Sequence, residues 1–514
     1  MFKKIITIIL ATFYLALQIS SISSAEPIGL GLLKAVISTP EAVEIQKSTI
    51  FDASQSFLPD PSKEITYSWE FGDGNKNEGV EVLHNYKTPG KYTITLTITD
   101  GKETSTVTSE VFAYSKSVIL ITDHKEAQER IELLKKYGEE KGVYLKIIDS
   151  FGSSTEFISE EVLTKKMNQA AEEIKKSAQI IAWTKENAGL NALSRYLQSN
   201  QKRLSAKSLV QKNIVVIEND IDINSNRIQR QFELIQPKNI IVTQEFAINF
   251  LLNTKTDQDF IRALEEGGYE YIIINEKSGK LTPLNFMSYL FNILITSGVP
   301  DNTIALLLLL PIIATVVAFM KQVVGVTTFG IYTPSIITLS FLVIGMYAGL
   351  LTLTAAITVG ALSRPVLKRI RTLFVPRMAV VITVVSLTLF LILIASNYLG
   401  LFDAQFLSIA IFPMLILSTL VEKFVSVRTD KGLTSAISLM AATVLVSIIA
   451  YFIVGGEINL GFAIIKFSFI KNLIMSYPEL VLLLIVINIL LGRWSGLRIL
   501  ERIRFREVLR HIEE

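Results

Sequence analysis

From about Asn302 to Arg493 the chain is almost continuously apolar, whereas the residues before it alternate short hydrophobic runs with Lys, Glu, Thr and Ser. A bilayer core takes ~20 apolar residues per helix, so the block predicts a polytopic membrane domain. Its apolar segments run from Thr303 to Met320, Gly330 to Ile344, Met346 to Leu362, Met378 to Ser396, Phe406 to Val421, Leu433 to Val454 and Leu480 to Leu491. The stretch from Pro334 to Leu362, about 29 residues, exceeds one comfortable span and is short for two. Charge decides between them, because basic loops stay on the cytoplasmic face. Splitting the stretch at Gly345 gives seven crossings. Lys321, then Arg364, Lys368, Arg369, Arg371 and Arg377, then Lys423, Arg428, Lys431 and an Arg-rich tail all fall inside. Only Lys466 and Lys471 are left outside. A single crossing would export the five basic residues from Arg364 to Arg377. The apolar run Leu460 to Ile470 is too short to span, and is expected along the outer interface or tucked into the bundle.

Upstream the periodicities change. Lys3 and Lys4 precede an apolar run from Ile5 to Leu17, with Ser23 and Ala25 at the small-residue sites of a secretory signal, so cleavage after Ala25 is expected. Between Lys34 and Tyr114, Tyr92, Ile94, Leu96 and Ile98 alternate with Thr93, Thr95, Thr97 and Thr99, the period-two pattern of a strand with one buried face. From Ser117 onward, apolar runs at Val118 to Thr122, Tyr144 to Asp149, Gln179 to Trp183, Ile214 to Ile217, Asn239 to Val242 and Tyr271 to Ile274 are separated by helical stretches. Lys125 to Lys141 and Ser159 to Lys176 are the clearest of these. Strands alternating with helices imply an α/β doubly wound, mainly parallel sheet. The fold class is therefore a multidomain membrane protein. It comprises a signal peptide at 1–25, a linker at 26–33, an exported β-sandwich at 34–115, an exported α/β domain at 116–278, a linker at 279–302, a seven-helix transmembrane bundle at 303–492 and a basic cytoplasmic tail at 493–514.

Composition fits that partition. Fifty per cent hydrophobic residues is high for a soluble chain of 514 residues, and 50 Lys plus Arg against 47 Asp plus Glu gives no argument for nucleic acid. There is no cysteine, so disulfides, thiolate metal sites and Cys nucleophiles are excluded. In the tail, Arg498, Arg502, Arg506 and Arg510 recur four apart with Leu497, Leu500, Ile503 and Leu509 on apolar positions, a helix for the inner leaflet or for a cytoplasmic partner.

Candidate chemistry is sparse. Doubly wound sheets bind ligands beyond the carboxyl ends of their strands, and here those ends carry Asp123, Asp149, Lys185 with Glu186, Glu218 with Asp220, and Glu245. Such carboxylates suit a cation or cationic ligand, although Asp and Glu at these turns also cap the following helix. Asp52, Asp73 and Asp100 invite a calcium reading, against which stands the common role of Asp in closing its own turn. No metal and no cofactor is expected. There is no Walker-type loop; Phe151-Gly152-Ser153-Ser154 is too poor in glycine. His84 and His124 sit in no zinc or nucleophile motif, so no catalytic residue is assigned and the protein is read as non-enzymatic. Within the bundle, Thr315, Thr327, Thr328, Thr333, Pro334 and Ser335 form the most polar stretch, suited to helix packing or to a broken helix. Glu422 and Lys423 sit at the inner end of a crossing.

Two resemblances add to this. Tyr67-Ser68-Trp69-Glu70-Phe71-Gly72-Asp73-Gly74, His84-Asn85-Tyr86 and Thr88-Pro89-Gly90-Lys91-Tyr92 resemble the signature of the PKD domain, an immunoglobulin-like module of surface proteins. Leu310-Pro311-Ile312, the run from Lys321 through Gly325, Phe329 and Gly330 to Pro334, Val375-Pro376-Arg377, Glu422-Lys423 and Tyr477-Pro478-Glu479 resemble the seven-helix membrane domain usually fused to an inactive transglutaminase-like domain. That likeness spans about Thr303 to Arg498. Members of the family are associated with ATP-grasp peptide ligases, which implies a role at the envelope in handling a peptide-type product. Here the PKD and α/β domains stand where the transglutaminase-like domain would be.

The expected function is a non-enzymatic cell-envelope scaffold or sensor in a prokaryotic cytoplasmic membrane. Its exported domains would bind a surface polymer, glycan, peptide or protein, and its bundle would anchor or relay. The alternatives are a transporter or flippase of an envelope precursor, or the membrane partner of a peptide-ligase system. Transporters normally place ionisable groups within their helices, and this bundle has few.

Overall fold

The computed structural model describes residues 33–57, 65–153, 155–185, 187–200, 212–218, 221–254, 256–275, 286–297, 299, 301–368, 374–398, 404–455, 457–459, 464–466, 469–494, 496 and 498–504. The expected signal peptide, Glu186, Asp220, Arg369, Arg371 and the tail from 505 lie outside the described residues. The chain divides into two compact units, Met1–Ser115 and Lys116–Glu514.

The first unit is two sheets on one core. Strands β1 (Ala42–Glu44), β3 (Thr66–Glu70), β4 (Lys76–Glu78), β6 (Gly90–Thr99) and β7 (Thr104–Tyr114) form a five-stranded sheet in the order β1-β7-β6-β3-β4, and β2 (Thr49–Asp52) pairs with β5 (Glu81–His84). The alternation read in β6 places Ile94, Leu96 and Ile98 fully inside. Phe51, Trp69, Phe71 and Tyr86 join them there. Two buried polar tips are satisfied, as burial requires: Trp69 Nε1 donates to the Gly79 carbonyl at 2.9 Å and Tyr86 Oη to the Phe71 carbonyl at 3.1 Å.

The second unit begins with a six-stranded sheet of β8 (Lys116–Thr122), β9 (Val143–Asp149), β10 (Gln179–Trp183), β11 (Asn213–Ile217), β12 (Asn239–Thr243) and β13 (Tyr271–Ile274), ordered β13-β12-β11-β10-β8-β9. All pairings are parallel except that of β13 with β12. One face is covered by α2 (Glu156–Gln169), α3 (Ala171–Lys176), α4 (Ala188–Asn200) and α5 (Ile221–Ile235). The other is covered by α1 (Gln128–Glu140), α6 (Ile248–Asn253) and α7 (Asp257–Glu266). The helix expected over Ser159 to Lys176 is broken at Ala170, and within the stretch read as a linker, 279–302, the chain forms α8 (Phe286–Thr296).

The seven apolar segments become α9 (Asp301–Phe319), which ends in a π-helical turn over Met320–Val324, then α10 (Tyr332–Ile344), α11 (Met346–Lys368), α12 (Phe374–Tyr398), α13 (Ala404–Lys431), α14 (Leu433–Val454) and, after the short α15 (Phe469–Ser476), α16 (Val481–Gly492). Among the described residues, α9 with its π turn and α14 are each long and apolar enough to cross a bilayer alone, and α15 with α16, bent by 105° at their break, reach that length only together, as a broken span or a re-entrant loop. Of the run from Leu460 to Ile470, the described residues are β15 (Ile464–Lys466), which pairs with β14 (Glu457–Asn459) just before the run, and the start of α15, a helix that tucks in with Lys471, Asn472, Ile474 and Met475 buried.

The split at Gly345 is a fold-back of the chain. In a continuous helix Phe341 and Gly349 would lie ~12 Å apart along the axis. Here a Cβ at Gly349 would meet Phe341 Cδ1 at 2.4 Å, so α10 and α11 pack as a hairpin. Gly345 makes the corner at φ 89° and ψ 150°, a region open essentially to glycine alone. Gly345→Ala is expected to lower the stability of the detergent-solubilised protein by about 1–3 kcal/mol, measured by thermal unfolding; an unchanged transition would remove the corner from the account.

Candidate functional site

The helices α2, α4 and α5 follow strands β9, β10 and β11, so their first turns stand at the carboxyl edge of the sheet. Against that edge sits one end of the membrane bundle. Asp301, the first residue of α9, accepts from Asn191 Nδ2 at 2.9 Å and from Arg227 at 3.4 Å. Arg227 also reaches Glu156, 3.3 Å away, and the second Glu156 oxygen takes Lys471 from α15. Asn302 donates to Glu160, whose other oxygen is 3.3 Å from Arg195. Gln231 donates to Asn191 at 2.8 Å and accepts from Ser194. Three further hydrogen bonds fasten the rim. Thr155, which caps α2, donates to the Val343 carbonyl at 2.7 Å; Gln198 donates to the Ile295 carbonyl at 2.7 Å; and Arg230 donates to the Met475 carbonyl while lying 4.7 Å over the Phe291 ring.

Nearly all of this is dry. Arg227 is 1% exposed, Glu160 0%, Asp301 4% and Lys471 4%. Burial pushes the Glu160 carboxyl up to about 8; Arg195 pulls it down, but Asp301 and Glu156 add to the rise. Burial likewise drives Arg230 down to about 10. Isolated charges in such a place cost several kcal/mol each, so Glu156 and Asp301 require Arg227 and Lys471 opposite them, while Glu160 is driven toward its neutral form beside Arg195.

Of the carboxylates read from the sequence, the described ones, Asp123, Asp149, Glu218 and Glu245, lie along the same sheet edge. Asp123 accepts from the Lys185 backbone N–H at 2.8 Å, and Asp149 takes Lys166 at 3.0 Å and the Phe151 N–H at 3.2 Å. Glu245 pairs with Arg130, which lies 5.7 Å over the Trp183 ring. Glu218 follows β11, its N–H donating to the Thr243 carbonyl. Among the described residues no three His, Asp or Glu side chains are grouped as a metal site. Asp52, Asp73 and Asp100 each close their own turn, through the N–H groups of Ser54, Asn75 and Lys102. Asp73 also meets His84 at 2.9 Å, and the His84 ring stacks on Phe71.

At the opposite end of the bundle the backbone between the π turn and α10 is not helical, and hydroxyls complete its hydrogen bonding. Pro334 has no N–H for the Gly330 carbonyl, which accepts instead from Thr328 Oγ1 at 2.7 Å. Thr443 Oγ1 accepts from the Phe329 N–H at 3.1 Å, and Thr338 and Ser447 both reach the Pro334 carbonyl. Lys423 donates to Thr333 at 2.7 Å and Arg428 to the Ala361 carbonyl at 3.0 Å. Gly325 lies against Arg498, and Gln322 donates to the Trp494 carbonyl. Of the remaining motif residues, Pro311 is inside α9, Pro376 and Arg377 begin α12, Glu422 is exposed on α13, and Pro478 and Glu479 form the bend before α16. Thus α9 and α10 run in opposite directions: Asp301 and Val343 lie at the sheet end, the π turn and Thr333 at the basic end.

Comparison with known proteins agrees with this division. Residues 34–113 match the PKD domain, and residues 287–509 match the family of seven transmembrane helices usually fused to an inactive transglutaminase. The chain joins a PKD domain to a seven-helix membrane domain. It is also 38% identical over 68 residues to collagenase ColA of Clostridium perfringens, a likeness spanning 13% of this chain and 6% of the collagenase. In the PKD domain, Gly72, Asp73 and Gly74 make the turn after β3, Tyr86 is buried, and the Tyr92 hydroxyl donates to the Thr88 carbonyl across the Pro89-Gly90 turn.

The junction residues were not singled out from the sequence. One signal was present: Lys471 is an exception to the basic-inside pattern, and it is the residue that pairs with Glu156. The Glu160 shift has a defined sign. A carboxyl raised above its ordinary value of 4.5 stabilises the docked state fully below that value, and the contribution is lost as pH rises through about 8. The melting temperature of wild type minus that of Glu160→Gln is therefore expected to fall as pH is raised through about 8. Taking the difference removes the opposing effect of Lys212, which burial lowers to about 8. A difference independent of pH would contradict the assignment.

Proposed function

We propose that the protein is a non-enzymatic cell-envelope receptor or scaffold, with the PKD and α/β domains on the outer face of the cytoplasmic membrane and the basic end of the bundle inside. The observation that carries this reading is the buried charge network, which fixes the α/β domain to one end of the bundle while Lys321, Lys423, Arg428, Lys431 and Arg498 collect at the other. A domain clamped this way passes any ligand-induced shift of α2, α4 or α5 directly to α9 and α15. The positive-inside rule supports the orientation, and the partners are an outer polymer, peptide or protein and, at the arginines after Trp494, a cytoplasmic protein or anionic lipid.

Transport is the second reading, favoured by the non-helical stretch between Gly325 and Ile331. The hydroxyls there are engaged with backbone groups, and that favours packing over a pathway. The absence of native cysteine makes the orientation testable. Leu133→Cys on α1 is expected to react with a membrane-impermeant maleimide in intact cells, and Tyr332→Cys, 81% exposed at the basic end, only after permeabilisation. The reverse pattern would overturn the proposal, as would a reconstituted protein that moves a lipid-linked precursor across vesicles.

A further inference from the structure

Helix α8 has two unlike faces. Phe291 and Ile295 are buried, and Met287 packs beside them on the hydrophobic core of the bundle. On the other side Phe286, Tyr289, Leu290, Ile293 and Leu294 recur at spacings of three and four, so they form one stripe, and each is between 41% and 52% exposed. Five large apolar side chains on 11 residues are not a solvated surface. At 1.5 Å per residue the helix is only ~16 Å long, about half the thickness of a bilayer core, so it does not cross.

Its position says what covers the stripe. The Ser288 N–H donates to Glu479 Oε1 at 3.1 Å, which places the start of α8 on the bend that opens α16. From that bend α16 carries exposed Leu482, Leu483, Ile485, Val486, Ile489 and Leu490, the surface this span offers to acyl chains. The start of α8 therefore stands at the head of that surface, at the sheet end of the bundle. On its inner side Gln198 and Arg230 tie α8 to the α/β domain through Ile295 and Phe291.

We propose that α8 is an in-plane helix seated in the outer leaflet, a lipid-docking surface that sets the height of the α/β domain above the membrane. Tyr289 suits such a place, since its ring can sit among acyl chains with its hydroxyl at the headgroups. Which leaflet it occupies rests on the orientation proposed above; the docking itself needs only the bundle in a bilayer, and is independent of what the outer domains bind.

The full-length protein with a single cysteine at Leu290→Cys or Ile293→Cys, carrying an NBD fluorophore in phosphatidylcholine vesicles, tests this. Lipids brominated high on the acyl chain are expected to cut NBD emission about twofold, more than lipids brominated near the chain end, with protection from aqueous iodide. Val486→Cys should respond more to the deep bromines, and Leu133→Cys to iodide alone. Iodide quenching at 290 and 293 without bromine quenching would overturn the proposal. So would stronger quenching by the deep bromines, or protection from both quenchers, the result expected if a second copy covers the stripe.

Discussion

A buried charge must be answered by another within a few ångströms, and in this protein two of the answering pairs join different domains. Arg227 belongs to the α/β domain, and Asp301 begins the first span; Glu156 belongs to the α/β domain, and Lys471 to the segment before the last span. Arg227 and Glu156 also answer each other, but Asp301 and Lys471 meet their opposite charges in the α/β domain, so parting the two would break both cross-domain pairs. The network therefore determines where α9 starts, why α15 turns inward instead of lying on the leaflet, and which end of the bundle faces the sheet.

That constraint also uses the carboxyl edge of the sheet, where parallel sheets ordinarily receive ligands. On the face covered by α2, α4 and α5, the edge receives the bundle. The acidic residues Asp123 and Glu245 remain on the side of α1 and α6, held by the Lys185 backbone and by Arg130. A ligand arriving there would act on a sheet whose other face is tied to the membrane spans, and this coupling is what the proposed relay requires. At the far end of the bundle the polar residues do different work, mending the backbone where the π turn, the non-helical stretch and Pro334 interrupt helical hydrogen bonding.

Periodicity made much of the architecture legible. The Thr/Ile alternation placed β6, the apolar runs placed β8 to β13 within a residue or two, and Gly345 with the flanking charges marked the hairpin of α10 and α11. These features are local: a face, a length or a turn is decided by neighbours in the chain. The junction was illegible for the opposite reason. Glu156, Glu160, Arg195 and Arg227 read as ordinary polar positions on the helices of the α/β domain and Asp301 as the polar edge of an apolar span, and only contacts from 35 to 315 residues apart make them a network. Helix α8 is too short for a span and lies in a stretch that otherwise resembles a connection, so the apolar pattern does not mark it.

The most direct test of this account is a double-mutant cycle across the junction, using thermal or denaturant unfolding of the full-length protein in nanodiscs. Arg227→Met and Asp301→Leu should each cost about 3–5 kcal/mol, because the first leaves Asp301 buried without the Arg227 charge and the second leaves Arg227 with Glu156 alone. The two together should recover a large part of the loss, giving a coupling of at least about 1 kcal/mol. Additive losses would contradict the claim that these two charges hold the α/β domain to the bundle.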